Sequence, residues 1–256
     1  MADIDVFNIL GQNAKNGSGI RLLNIYKGLP ISYETTISSI GQAEIQVSSN
    51  QQQAACLYYQ RETYLQVKES PFIIRSQVIS LNLGKEQAVL SNFELAKNNI
   101  GNRSQIRVEP DEPLMATVYP TGAIVGINSP LADISAEGAS FFVDAFLFSG
   151  RVFQPGSELT MTITLPDTVA QKIKRNSPKP LVDIRKGRDE GQISITARGK
   201  IISARPETAQ NRYRIGARMH FQDLARMVIL QYISQRQIEI IRDLRILSNE
   251  LFRLKK

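Results

Sequence analysis

The sequence predicts a mainly β protein of two domains that ends in a long α-helix. Short apolar–polar alternations, broken by Gly, Pro, Asn and Ser, fill most of the chain between Leu29 and Phe221. One polar stretch, Lys97-Asn98-Asn99-Ile100-Gly101-Asn102, interrupts them and reads as an interdomain linker. Beyond Leu224 the apolar period changes to alternating steps of three and four. These observations place a small N-terminal β-barrel or sandwich at 1–100, a second β-barrel at 101–222 and a helix at 223–256.

Taken in order, the segment up to about Ile20 is rich in Asn and Gly and is expected to be frayed or briefly helical. Strands are expected in Thr35–Ile40, in Ala43–Val47, where apolar and polar residues alternate, and in Ala55–Tyr59, Thr63–Val67, Val78–Leu81 and Ala88–Leu90. After the linker, Leu114–Val125, Ala139–Val143, Leu159–Leu165, Ile193–Ile202 and Tyr213–Phe221 supply the strands of the second barrel. Closure of an antiparallel barrel hides strand edges, which accounts for so many short strands in one domain. In the tail, Ile233, Gln237, Ile240, Leu244, Leu247, Leu251 and Leu254 form a heptad-like seam with charged residues on the other faces. Such a helix either packs on its own chain or self-associates as a coiled coil, and no Gly or Pro interrupts it.

Composition narrows the functional classes. At 256 residues with 42% apolar content, the chain is long enough for two real cores. Its formal net charge of +7 favours anionic partners. Much of that excess lies between Lys172 and Lys200, which reads as a solvated loop or hairpin end. Cys56 is the single cysteine, so no internal disulfide is available and a reducing compartment fits. With His220 the single histidine, neither a His- or Cys-rich metal site nor a Cys–His catalytic pair is expected, and both residues read as structural. No signal peptide, membrane-length apolar run or catalytic motif is evident, so the expectation is a cytoplasmic protein that is not an enzyme and needs no cofactor.

Two clusters carry the functional signal. Arg103-Ser104-Gln105-Ile106-Arg107 places two arginines four residues apart directly after the linker, and Asp133-Ile134-Ser135-Ala136-Glu137-Gly138 reads as a turn between β-like runs. An arginine fork meets the paired O6 and N7 acceptors of a guanine, or a phosphate, with parallel hydrogen bonds. Asp133 suits the donor edge of guanine, Ser135 suits a phosphate, and Gly138 permits a positive φ or close approach of backbone to ligand. Each cluster alone also fits an ordinary solvated linker or Asx-type turn. Glu109, Asp111 and Glu112 read as a solvated acidic turn, or as residues that neutralise the arginines in the absence of ligand.

The two clusters, in this order and with a strand-length run between them, resemble the ligand signature of the PilZ domain, a bacterial receptor module for cyclic di-GMP (c-di-GMP). The 1–100 half has the general look of the domain that precedes PilZ in flagellar-brake proteins. The resemblance implies an antiparallel six-stranded PilZ-like β-barrel and a ligand site of Arg103, Arg107, Asp133, Ser135 and Gly138. It further implies a receptor whose interdomain arrangement changes on binding, and contact with the flagellar motor or another effector protein, with recruitment to the flagellar basal body. Two other readings stand beside it. One is a basic β-barrel for single-stranded nucleic acid, for which Tyr58, Tyr59, Tyr64, Tyr119 and Tyr213 are available without a compact aromatic–basic pattern. The other is a scaffold without ligand that forms homo-oligomers through its terminal helix.

Overall fold

The computed structural model describes residues 6–15, 19–67, 72–96, 105–165, 171 and 193–253. The expected linker, Arg103, Leu254 and most of the basic 172–200 stretch lie outside them. The chain divides into two compact units, residues 1–104 with 239–256, and residues 105–238.

The first unit is built on α1 (Val6–Lys15), β1 (Ile20–Tyr26), β2 (Leu29–Thr35), β3 (Ile37–Ile40), β4 (Glu44–Ser48), α2 (Gln51–Gln60), β5 (Glu62–Val67), β6 (Ile73–Asn82) and β7 (Gln87–Leu95). Its strands make one antiparallel seven-stranded sheet in the order β2-β1-β5-β6-β7-β4-β3. The β1–β2 hairpin turns on Lys27-Gly28, both at positive φ (48° and 80°), as a two-residue turn matched to strand twist requires. In β5 the alternation is regular: Thr63, Leu65 and Val67 turn inward. Leu22, Ile45, Leu57, Leu65, Ile74 and Leu90 close the core, with Leu10 added from α1.

The expected strand at Ala55–Tyr59 is instead the middle of helix α2. Five apolar residues without β-branching do not distinguish strand from helix, and the flanks decide. Asn50 caps the helix by accepting from the Gln53 N–H at 2.7 Å, Gln and Ala fill the first turns, and Arg61 ends it in the left-handed conformation. Strand β1 was not anticipated either, because buried Asn24 breaks its apolar run.

The second unit comprises β8 (Arg107–Val108), β9 (Met115–Pro120), β10 (Ile127–Ser135), β11 (Gly138–Asp144), β12 (Glu158–Leu165), β13 (Ile193–Glu207), β14 (Arg212–His220) and the first half of α3 (Asp223–Arg253). The strands β10-β11-β14-β13-β12-β9 pair in sequence, and β9 pairs with β10, so six antiparallel strands close a barrel with β8 alongside β10. The mainly β, six-stranded expectation holds. Val118, Ile134, Phe141, Met161, Ile163, Ile195 and Ile215 fill its interior.

Within the second unit, α3 buries Val228, Ile229, Tyr232 and Ile233. Buried Arg236 donates from Nε to the Glu109 carbonyl at 2.9 Å and from its NH2 to Asp111 Oδ1 at 3.0 Å. The acidic turn is therefore engaged by an arginine of α3. In the first unit, Leu244 and Leu251 of α3 pack with Ala55 and Cys56, and Asp243 pairs with Lys27 at 2.7 Å. The heptad-like seam thus faces its own chain at Ile233, Ile240, Leu244 and Leu251.

Candidate functional site

The Asp133–Gly138 cluster is not wholly a turn. Asp133 and Ser135 stand in β10, Gly138 opens β11, and only Ala136-Glu137 turn the hairpin. Alternation sends Ile134 into the barrel and its neighbours Asp133 and Ser135 to the other face. A bulge between Leu131 and Asp133 shifts the register so that Asp133 sits opposite Ser140. Gly138 does not take positive φ, which corrects one of the two expected reasons for a glycine there. What the fold does require of a glycine there is internal packing: a Cβ at Gly138 would meet the Ala217 carbonyl oxygen of β14 at 2.8 Å. Ser135 Oγ donates to the Gly138 carbonyl at 3.2 Å, which locks the hairpin and explains the three-residue spacing between them.

Arg107 reaches the same place through β8, which pairs Arg107 with Ser135. Its NH1 lies 3.8 Å from Asp133 Oδ1, while the Asp133 side chain is only 6% exposed and that of Arg107 is 40% exposed. The structure therefore brings Arg107, Asp133, Ser135 and Gly138 together on one face. Arg103 lies outside the described residues.

One cation was missed by the sequence reading. Arg214 of β14 donates from NH2 to Asp133 Oδ2 at 2.5 Å and from Nε to Ser140 Oγ at 3.3 Å. Asp133 Oδ1, though buried, accepts no hydrogen bond. An orphaned buried carboxylate oxygen is costly, and it is the atom to which a donor-bearing ligand adds most. A local signal for Arg214 exists: Arg212, Arg214, Gly216 and Arg218 recur at period two and so share one face of the last strand.

Chemically, the face offers one oriented acceptor between two guanidinium groups. That arrangement matches a planar N–H donor edge beside a phosphate. A cavity of about 400 Å³ opens against the hairpin, lined by Ala136, Glu137, Arg218, His220, Phe221 and Arg226. A larger one, about 880 Å³, is lined by Thr160, Thr196, Arg198, His220, Gln222 and Leu224 among others. Among the described residues no group of His, Cys, Asp and Glu is arranged to hold a metal ion.

No protein-family model matches the chain, and no curated protein matches it. Among solved structures, the chain is similar to the inhibitor of motility MotI/DgrA of Bacillus subtilis (15% identity; 87% of this chain and 97% of that one; TM-score 0.40). It is also similar to MrkH of K. pneumonia in complex with c-di-GMP (10% identity; 93% and 95%; TM-score 0.41). A third is the PilZ domain of Escherichia coli YcgR with c-di-GMP (12% identity; 56% and 96%; TM-score 0.35). These neighbours include a PilZ domain and two cyclic di-GMP complexes.

Proposed function

We propose that this chain is a non-enzymatic, PilZ-type receptor for cyclic di-GMP, with the ligand held by Arg103, Arg107, Asp133, Ser135 and Gly138. The observation that carries the reading is the buried, unfilled acceptor of Asp133 facing Arg107 across β8 and β10. Guanine supplies N–H donors for that oxygen, and the arginines of the first cluster meet its acceptor edge and a phosphate. Because Arg103 and Arg107 follow directly on the 97–102 stretch, ligand capture there biases the arrangement of the two domains by its differential affinity. A protein partner reads that change, and the output is motility or a related surface behaviour. The nucleic-acid alternative loses one of its aromatics, since the Tyr213 ring is stacked on Phe148 at 3.6 Å within the unit.

Titration of the full chain with cyclic di-GMP tests the site. Arg107→Ala and Asp133→Ala are each expected to weaken binding by about tenfold to a hundredfold, the worth of charge-assisted hydrogen bonds. Affinities within twofold of the parent in both variants would remove these residues from the site.

A further inference from the structure

The outer face of the barrel continues beyond the hairpin in a register that can be followed strand by strand. One cross-strand row runs Arg107 (β8), Ser135 (β10), Gly138 (β11), Arg218 (β14) and Lys200 (β13). The row beside it runs Asp133, Ser140, Gly216 and Ser203. The middle of this surface is therefore floored by two glycines and two serines, with side chains too small to stand above the sheet. Glycine is required at Gly138, where a Cβ would meet the Ala217 carbonyl oxygen at 2.8 Å, while at Gly216 a Cβ would sit 2.8 Å from Ser203 Oγ, a side-chain atom that can turn away.

Cations stand around the floor in different states. Arg214 is committed to Asp133 and Ser140. Arg226 reaches the hairpin residue Glu137 at 3.8 Å. Arg218 is exposed on the wall of the 400 Å³ cavity and makes no ion pair with any described residue. From β8 to β14 there are three strand spacings of about 4.8 Å each, so Arg107 and Arg218 stand roughly 14 Å apart measured along the curved barrel surface. The Asp133 oxygen that accepts no hydrogen bond lies buried just beneath the same surface.

We propose that the ligand lies across β11, over Gly138 and Gly216, and that Arg218 binds a phosphate on the side of the floor opposite Arg107. This rests on the cyclic di-GMP reading and extends its footprint to a strand outside both sequence clusters. Arg218 acts as a point charge on a phosphate, so lysine serves there, whereas at Arg107 the planar fork is needed.

Calorimetric titration of cyclic di-GMP into the parent chain and into Arg218→Ala, Arg218→Lys, Arg218→Glu and Arg107→Ala at two salt concentrations tests this. Arg218→Ala is expected to weaken binding about tenfold, Arg218→Glu more, and Arg218→Lys less than about threefold, with a shallower salt dependence in the alanine variant. Melting temperatures should stay at the parent value, because the side chain is exposed. If Arg107→Ala loses binding while Arg218→Ala and Arg218→Glu keep it, the extended footprint is wrong and the receptor reading stands. Equal losses in the lysine and alanine variants would overturn the phosphate role. If the parent chain itself does not bind, both ideas fall.

Discussion

Asp133 and Cys56 are both buried polar groups, and their surroundings give them opposite chemistry. Asp133 is oriented by Arg214 and Arg107 and keeps one buried oxygen without a hydrogen bond. Cys56 lies in α2 among Ala55, Leu244 and Leu251, where burial pushes its thiol up to about 12, offset only in part by a backbone hydrogen bond. A thiol with so high a pKa carries almost no thiolate at pH 8, and the thiolate is the nucleophile. The folded chain is therefore expected to resist a thiol reagent at pH 8, and reaction to become fast once denaturant unfolds it. Rapid, complete labelling of the native protein would contradict this placement. At this scale the sequence was informative about identity and silent about environment: the Arg214–Asp133 pair joins residues 81 apart, a distance no local pattern spans.

At the scale of elements, α2 is held to the sheet by a polar network centred on Asn24 of β1. Asn24 Oδ1 accepts from Gln53 Nε2 at 2.5 Å and Thr63 Oγ1 at 2.8 Å, and its Nδ2 donates to Gln60 Oε1 at 2.6 Å and the Glu62 carbonyl at 2.7 Å. All four hydrogen bonds that an amide side chain readily makes are thus in place. Removing the hub leaves buried donors and acceptors unpaired. Asn24→Ala is expected to destabilise the chain by about 2–4 kcal/mol in urea unfolding, and a change below about 0.5 kcal/mol would show the network to be expendable. The network also explains what was misread. A buried Asn hid β1, and the run Ala55–Tyr59 looked like a strand until its Asn50 cap and Gln-rich start are weighed. Where alternation was regular, as in β5 and β12, the strands were legible from sequence alone. The hairpin at Asp133–Gly138 was legible as a motif, whereas its strand geometry came from the β10 bulge.

Across the whole molecule, the sequence carried the class of fold and the change to helix beyond Leu224, because both depend on periodicity. It did not say what covers the helix. A heptad-like spacing states only that one face is apolar, and here Leu244 and Leu251 spend that face on Ala55 and Cys56 of their own unit while Ile238 and Ile241 stay exposed. Among the described residues no helix is long and apolar enough to cross a membrane. The site residues Arg107, Asp133, Ser135 and Gly138 all belong to the second unit, so its barrel contains the described part of the candidate site by itself. The most direct measurement is isothermal titration of the full chain with cyclic di-GMP, alongside GTP and cyclic di-AMP. Selective, saturable binding of cyclic di-GMP, with weaker or no heat from the other two, is the predicted result. No heat and no thermal stabilisation with cyclic di-GMP, at concentrations far above a second messenger's working range, would contradict the account.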